Sequence, residues 1–524
     1  MKYDGLPTLL GFLFLSVVAV WGHSWEMTDT HILPKWLYGI WVGGGVLLVA
    51  SIGWMAGWRE KKDERKLFLG VGVLCLLQAL YAVGQAVGLF SSYFSYRVVG
   101  SFDNPAGLAA CLCVGVPCGL YLLRTAKKHW ERSMAVAVIG ISTLALLLSG
   151  SRAGVLSVLV VLAVYVFRFH LIGRKVRVAL LLVGVALLTA MYYVKKDSAD
   201  GRLLMARVAW EMIKERLLTG HGPGAVEAHY MDYQAAYLAK LPAESRAALL
   251  ADNVKHVFNE YLELLICYGL WGGLLWAVVV CFLWHCYRKT PSEEGRCAGL
   301  SLLSVAVLAC FSYPLSYPFT WVMLLLCAWV LVYRAYPWGE WWWKKKVRYP
   351  LGALLLLLSI GMEVVVTQRI RAELEWGRIA RLSQQGSGKQ MLPRYERLLP
   401  IMEHEPYFLY NYAAELYLAG CYEQGLQVAG LCRTYWADYE LQLLQGELLT
   451  KLNRTEEAET HYYHASRMCP SRFMPLYKLY KLYQLTGDTD KEQTIALQIL
   501  EKPVKVNSGT VRRIKREVKK GIAD

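Results

Sequence analysis

Long apolar runs, broken by short clusters of basic residues, fill the first two thirds of the chain. Such runs fall at 5–22, 36–57, 67–90, 104–123, 133–150, 153–170, 177–194, 257–285, 298–312, 318–335 and 349–367. A bilayer core takes about 20 apolar residues per helix, so the pattern predicts about eleven spans. Beyond residue 370 the apolar positions recur three and four apart, the spacing of amphipathic helices. A period of 33–34 residues runs through this tail. Leu418-Ala419-Gly420, Lys451-Leu452-Asn453 and Leu485-Thr486-Gly487 read as equivalent helix-to-helix turns. Gly425 and Ala458 follow at one offset as small residues for close helix packing, and Pro470 and Pro503 end successive units. The expected fold class is all-α: a polytopic membrane helix bundle over 1–367, then a soluble helical-repeat domain over 370–524.

Charge sets the orientation. Basic residues crowd alternate loops: Arg59, Lys61, Lys62, Arg65 and Lys66; Arg124, Lys127, Lys128 and Arg132; Arg168, Arg174, Lys175 and Arg177; Arg288, Lys289 and Arg296; Arg334, Lys344, Lys345, Lys346 and Arg348. The intervening short loops hold Lys35, Arg97 and Arg152. Lysine and arginine are retained on the cytoplasmic side. The N-terminus is therefore expected inside, and the long loop 195–256 and the tail outside. The nine basic residues of that loop carry little weight, because long loops translocate regardless of charge.

Composition agrees. The chain of 524 residues is 56% hydrophobic, with 19 Trp and 33 Tyr suited to membrane interfaces. Its formal charge of +16 is explained by the loops. Without a basic stripe interleaved with aromatics in a soluble segment, nucleic acid is not an expected partner. Ten of 13 Cys lie before residue 330, mostly within apolar runs, and no CxxC pair occurs. Neither a metal site nor a disulfide framework is expected. The run Leu6–Trp21 lacks a small-residue cleavage signal after it and reads as the first span, not a leader.

Ionisable groups at the membrane rim are costly and tend to mark function. Arg152, in Ser151-Arg152-Ala153-Gly154, sits in a turn between two spans. Its planar guanidinium suits phosphate oxygens, or it anchors the turn by snorkelling. Asp200-Gly201-Arg202 opens the long loop, and Leu203, Leu204, Val208, Met212 and Ile213 suggest a short amphipathic helix on the membrane. Gly220-His221-Gly222-Pro223-Gly224 allows close backbone approach to a ligand, but lacks the lysine of a nucleotide loop. His256, Asn259, Glu260 and Glu263 are spaced to share one helical face. A histidine beside carboxylates at the water boundary can act as a general base. The alternative is a polar helix start favoured by the helix dipole. The repeats read equally as a docking surface for a partner or as a stabilising cap.

The order of these motifs resembles the O-antigen ligase and polymerase superfamily of envelope glycan enzymes. The matching elements are Asn104-Pro105, the turn at 151–154, Gly201-Arg202 through Trp210 to the glycine-rich turn, Asn259-Glu260-Tyr261-Leu262, and Tyr268-Gly269-Leu270-Trp271-Gly272. They cover about 70–335. The tail resembles tetratricopeptide repeats, covering about 405–505. The resemblance implies a glycosyltransferase of the bacterial inner membrane, with periplasmic repeats. The implied donor is an undecaprenyl diphosphate-linked glycan, and the acceptor lipid A–core, as in a ligase. The alternatives are an O-antigen or exopolysaccharide polymerase and a protein O-oligosaccharyltransferase. A lipid-linked glycan transporter or a non-enzymatic assembly protein is the further contrast. No cofactor or metal is implied. Arg152 and Arg202 carry over as diphosphate-binding residues, with Asn259, Gly222, Gly224 and Tyr261 lining the substrate. Many ligases have His-Asn at the head of the last motif helix. Here Phe258 precedes Asn259, so His256, Glu260 and His221 stand as candidates for the base.

Overall fold

The computed structural model describes residues 2–3, 6–60, 63–92, 94–168, 173, 184, 193, 196–242, 245–289, 291–337, 342 and 344–523. The expected span at 177–194 falls almost wholly outside them. The described chain is helical, apart from a two-residue parallel pairing of Lys2–Tyr3 with Arg59–Glu60. Helices α1 to α6 are Leu6–Trp21, Leu33–Ala56, Glu64–Val87, Pro105–Thr125, His129–Ser149 and Arg152–Arg168. Helices α7 to α9, Lys196–Glu215, Ala225–Leu238 and Arg246–Leu250, occupy the long loop. Then come α10 to α13: Glu260–Lys289, Glu293–Ala309, Pro318–Ala335 and Lys345–Leu382. The tail holds α14 to α21: Gly388–Met402, Pro406–Leu418, Tyr422–Tyr435, Tyr439–Lys451, Thr455–Met468, Met474–Thr486, Thr489–Glu501 and Gly509–Ala523.

Seven described helices are long and apolar enough to cross a membrane: α2, α3, α4, α5, α10, α12 and the stretch Lys345–Met402. Leu9–Trp21 and Arg152–Phe167 are apolar but shorter. The chain divides into two compact units. The first comprises Met1–Met191, Phe258–Tyr261 and Leu274–Leu374. The second comprises Tyr192–Val257, Leu262–Gly273 and Glu375–Asp524.

In the first unit α4 is the central helix. Its apolar window is 89% buried, and a helix buried all round is apolar all round. Small residues let its neighbours close in: a Cβ on Gly115 would lie 2.8 Å from Cβ of Cys75. Asn104 caps α4 by accepting from the Ala106 amide at 2.7 Å, and Pro105 fills the first turn, where no amide proton is needed. One end of this bundle holds paired charges: Arg334 with Glu64 and Glu294, Arg65 with Glu131, and Arg124 with Glu293.

In the second unit the loop and the tail share one core. Leu204, Val208 and Met212 of α7, and Val226 and Tyr230 of α8, are buried in the same cluster as Ala458, Tyr462, Ala465 and Met468 of α18. This revises the expectation for α7: its apolar face is covered by protein, while Leu203 and Trp210 point outward. In the tail α15 packs on α16, α17 on α18 and α19 on α20. The three connecting turns carry left-handed residues at the expected offsets, Gly420, Asn453 and Gly487.

Candidate functional site

At the end of the first unit opposite the paired charges, loops are tied together by polar side chains. The Lys35 ammonium is buried and donates to the carbonyls of Gly22, His31 and Ser101, at 2.9, 2.8 and 2.9 Å. Gln85 holds the loop before α4, accepting from the Val99 and Gly100 amides. Tyr317 donates toward Asp103 and Asn104, both at 3.2 Å. Burial raises the Asp103 carboxyl above its ordinary range, against hydrogen bonds that lower it.

Arg152 is the first residue of α6, after a left-handed turn at Gly150. Ser151 Oγ accepts from the Gly154 amide at 3.3 Å. A Cβ on Gly154 would come within 2.8 Å of Ala109 Cβ, so α6 starts against the first turns of α4. A cation at a helix N-terminus opposes the helix dipole. The half-buried Arg152 and the N-terminal end of α6 together present positive charge suited to an anion.

Asn259, Glu260 and Tyr261 pin the head of α10 to the last turn of α11 and the segment after it. Asn259 Nδ2 donates to the Cys310 carbonyl at 3.1 Å and Tyr261 Oη to that of Ala306 at 3.0 Å. Glu260 Oε1 accepts from the Leu315 amide at 2.7 Å. The shared face expected for His256, Asn259, Glu260 and Glu263 is not formed. Phe258 has φ +55°, which breaks the helical path, and the helix begins only at Glu260. Asn259 serves as its cap, accepting from the Tyr261 amide at 3.0 Å.

In the second unit Arg202 lies half-buried on α7. The glycine-rich turn makes a close approach, but to the chain itself. The amides of His221 and Gly222 donate to the carbonyls of Ile266 and Cys267, at 2.8 and 2.9 Å. Those of Leu270 and Trp271 return to Leu217 and Leu218. This pairing interrupts α10 at Gly269, whose φ is +60°. Gly220 and Gly269 make room for the contact, whereas Gly222 and Gly224 face open space. Two of the amides expected for a ligand are thus spent on backbone.

The two histidines differ as proton acceptors. His221 Nε2 lies 2.9 Å from the Met212 carbonyl. A carbonyl can only accept, so Nε2 carries the proton and Nδ1 of the neutral ring is the basic nitrogen. Its ring rests against His229 and Tyr233, at centroid distances of 6.2 and 5.7 Å. Burial, with Lys255 adding to it, holds His256 down to about 4. Such a ring is a poor acceptor near neutrality, which favours His221. Sequence reasoning missed Glu227 on α8. Burial pushes its carboxyl up, opposed by Lys255. Tyr407 Oη approaches it at 3.5 Å, and Lys255 lies over the Tyr407 ring. Only its position six residues after His221 hinted at this group. Among the described residues no three His, Cys, Asp or Glu side chains gather as metal ligands.

Comparison with characterised proteins finds no match for the chain. Residues 135–277 match the family model described as O-Antigen ligase. That segment runs from α5 into α10. It contains Arg152, Arg202, His221, Gly222, Gly224, His256, Asn259, Glu260 and Tyr261, and leaves Asn104 and the tail outside.

Proposed function

We propose that the chain is a membrane glycosyltransferase of ligase type. It moves a glycan from undecaprenyl diphosphate to an acceptor hydroxyl, lipid A–core in the first instance, on the outer face of the cytoplasmic membrane. The observation that carries this reading is the O-antigen ligase match over 135–277, which takes in both candidate diphosphate cations. In this reading about eleven spans place the N-terminus inside and the tail outside, as tetratricopeptide-like repeats. The paired charges at one end of the bundle, with Arg152 at the other, support that orientation.

The chemistry follows from charge. The acceptor oxygen attacks the anomeric carbon as its proton passes to His221 Nδ1. The bond from that carbon to the diphosphate oxygen breaks, and its electron pair leaves with the diphosphate. Arg152 and Arg202 neutralise the charge that grows there; positioned cations of this kind act mainly on the transition state. The lipid diphosphate is already a good leaving group, so no nucleotide is consumed. A single displacement inverts the anomeric centre. Retention in the product, compared with the donor by NMR, would reject that step.

Arg152→Ala and Arg202→Ala, at matched protein levels in a strain lacking the native gene, test the reading. Loss of long-chain lipopolysaccharide with accumulation of lipid-linked polymer supports a ligase. A core bearing a single repeat unit would assign a polymerase. Normal lipopolysaccharide with missing protein glycans would assign a protein glycosyltransferase. Unchanged surface glycans in both variants would remove the two arginines from the site.

A further inference from the structure

The C-terminal helices hold one loop helix. Within the second unit, α8 packs on α16 and α18, the second helices of two successive pairs. The polar contacts along this seam are specific. Arg433 of α16 pairs with the Asp232 carboxylate and also donates to the Ala228 carbonyl at 3.2 Å. His464 of α18 lies 2.8 Å from the other oxygen of Asp232. Gln234 donates to the carbonyls of Met468 and Asp252, at 2.8 and 3.1 Å. The Ala437 amide donates to the Glu227 carbonyl at 2.8 Å. Asp232 is thus gripped from two pairs at once, with Arg433 and Asp232 each 28% exposed.

An adjoining face of the same helix meets the candidate base. His229 and Tyr233, which flank Asp232 by three residues and one, are the residues on which the His221 ring rests. Tyr233 Oη in turn donates to Glu215 of α7 at 2.6 Å, and His221 Nε2 is held by Met212 of α7. The position of the His221 ring is therefore fixed between α7 and α8, and that of α8 by the tail.

We propose that Asp232 is a positioning residue through which the C-terminal helices, acting in cis, set the place of His221. The occupant of the α16–α18 face is the chain's own loop helix, not a separate protein. This rests on His221 being the base of the proposed transfer. An acceptor displaced by about 1 Å can lose a hundredfold in rate, so a tail that only grips α8 can still govern chemistry.

The test uses the full chain in lipid nanodiscs for hydrogen exchange, and cells producing it for surface glycan at matched protein levels. Asp232→Ala should raise amide exchange at 220–233 about tenfold or more, and cut surface glycan by about the same factor. Asp232→Glu should keep both near the parent, because it retains the carboxylate for Arg433 and His464. Unchanged exchange at 220–233 in Asp232→Ala would overturn the proposal and leave the His221 reading standing. Exchange rising equally across α19 and α20 would also overturn it, since the whole unit, not a local brace, would then have been lost. A loosened 220–233 segment with full surface glycan would confirm the brace and overturn the role of His221.

Discussion

Alanine placed in turn at Gly220, Gly222 and Gly224 separates two costs that the sequence motif runs together. All three residues have positive φ, at +69°, +96° and +74°. A side chain in that region costs about 1–2 kcal/mol. At Gly222 and Gly224 nothing lies within 4 Å of an added Cβ, so strain is the whole cost. At Gly220 the Cβ would sit 2.4 Å from the Cys267 carbonyl carbon and 2.5 Å from the Tyr268 nitrogen. These are backbone atoms and cannot rotate away. Relief requires residues 217–222 to part from 266–271, which abandons the four backbone hydrogen bonds that join them. Each contributes about 1 kcal/mol net.

The expected loss is therefore about 1–2 kcal/mol for Gly222→Ala and Gly224→Ala, and about 4–6 kcal/mol for Gly220→Ala. In a unit of this size each kcal/mol lowers Tm by about 2–4 °C. Thermal unfolding of the full chain in nanodiscs should show small shifts for the first two and a fall of roughly 10 °C or more for the third. Hydrogen exchange should place the loosening at 217–222 and 266–271. A Gly220→Ala midpoint within about a degree of the other two, a fraction of one kcal/mol on this scale, would refute the reasoning. The glycines would then serve something other than this close approach.

Lys35→Met should destabilise the first unit by about 3–5 kcal/mol, because three buried carbonyls lose a charged donor together; unchanged thermal unfolding would count against the buried knot. Asn259→Ala removes the cap of α10 and should cost about 1 kcal/mol or somewhat more, read as a fall in Tm. Acid should weaken the second unit through His256. Its folded value is held to about 4 against an ordinary 6.5, so the stabilisation present above about 6.5 is lost as pH falls toward 4. In His256→Gln that part of the acid sensitivity, about 2–4 kcal/mol at the acid limit, should be missing from unfolding curves taken between pH 7 and 4. Arg152→Lys should recover only part of the activity lost in Arg152→Ala, because an ammonium lacks the bidentate fork; full recovery in a surface-glycan assay would assign Arg152 a purely anchoring role.

What the sequence made legible was local. Asn104-Pro105 announces a capped helix because an Asn side chain accepts from an amide two residues on, and a first-turn proline needs no amide of its own. The turns at Gly420, Asn453 and Gly487 were readable because the same backbone requirement recurs every 33–34 residues. Apolar periodicity on α7 said that Leu204, Val208 and Met212 are covered, but not by what. A membrane and a packed protein face ask for the same pattern, and only the fold distinguishes them. The head of α10 misled for a related reason. Its spacing fits a helical face from His256 onward, yet a bulky Phe258 adopts a positive φ that no spacing rule anticipates.

The grip of Arg433 and His464 on Asp232 spans more than 200 residues of chain and leaves no periodic trace in the sequence at all. In the sequence the long loop and the helical tail read as separate pieces, the one as an amphipathic helix on the membrane with a glycine-rich turn, the other as a docking surface or a stabilising cap. In the second unit they share one core. Ordering a loop of some 60 residues (195–256) costs conformational entropy at every residue, which burial of apolar surface must offset. The tail supplies part of that apolar surface through Ala458, Tyr462, Ala465 and Met468. A loop that long has few sources of burial of its own, and a stacked helical tail is one that the chain itself can carry.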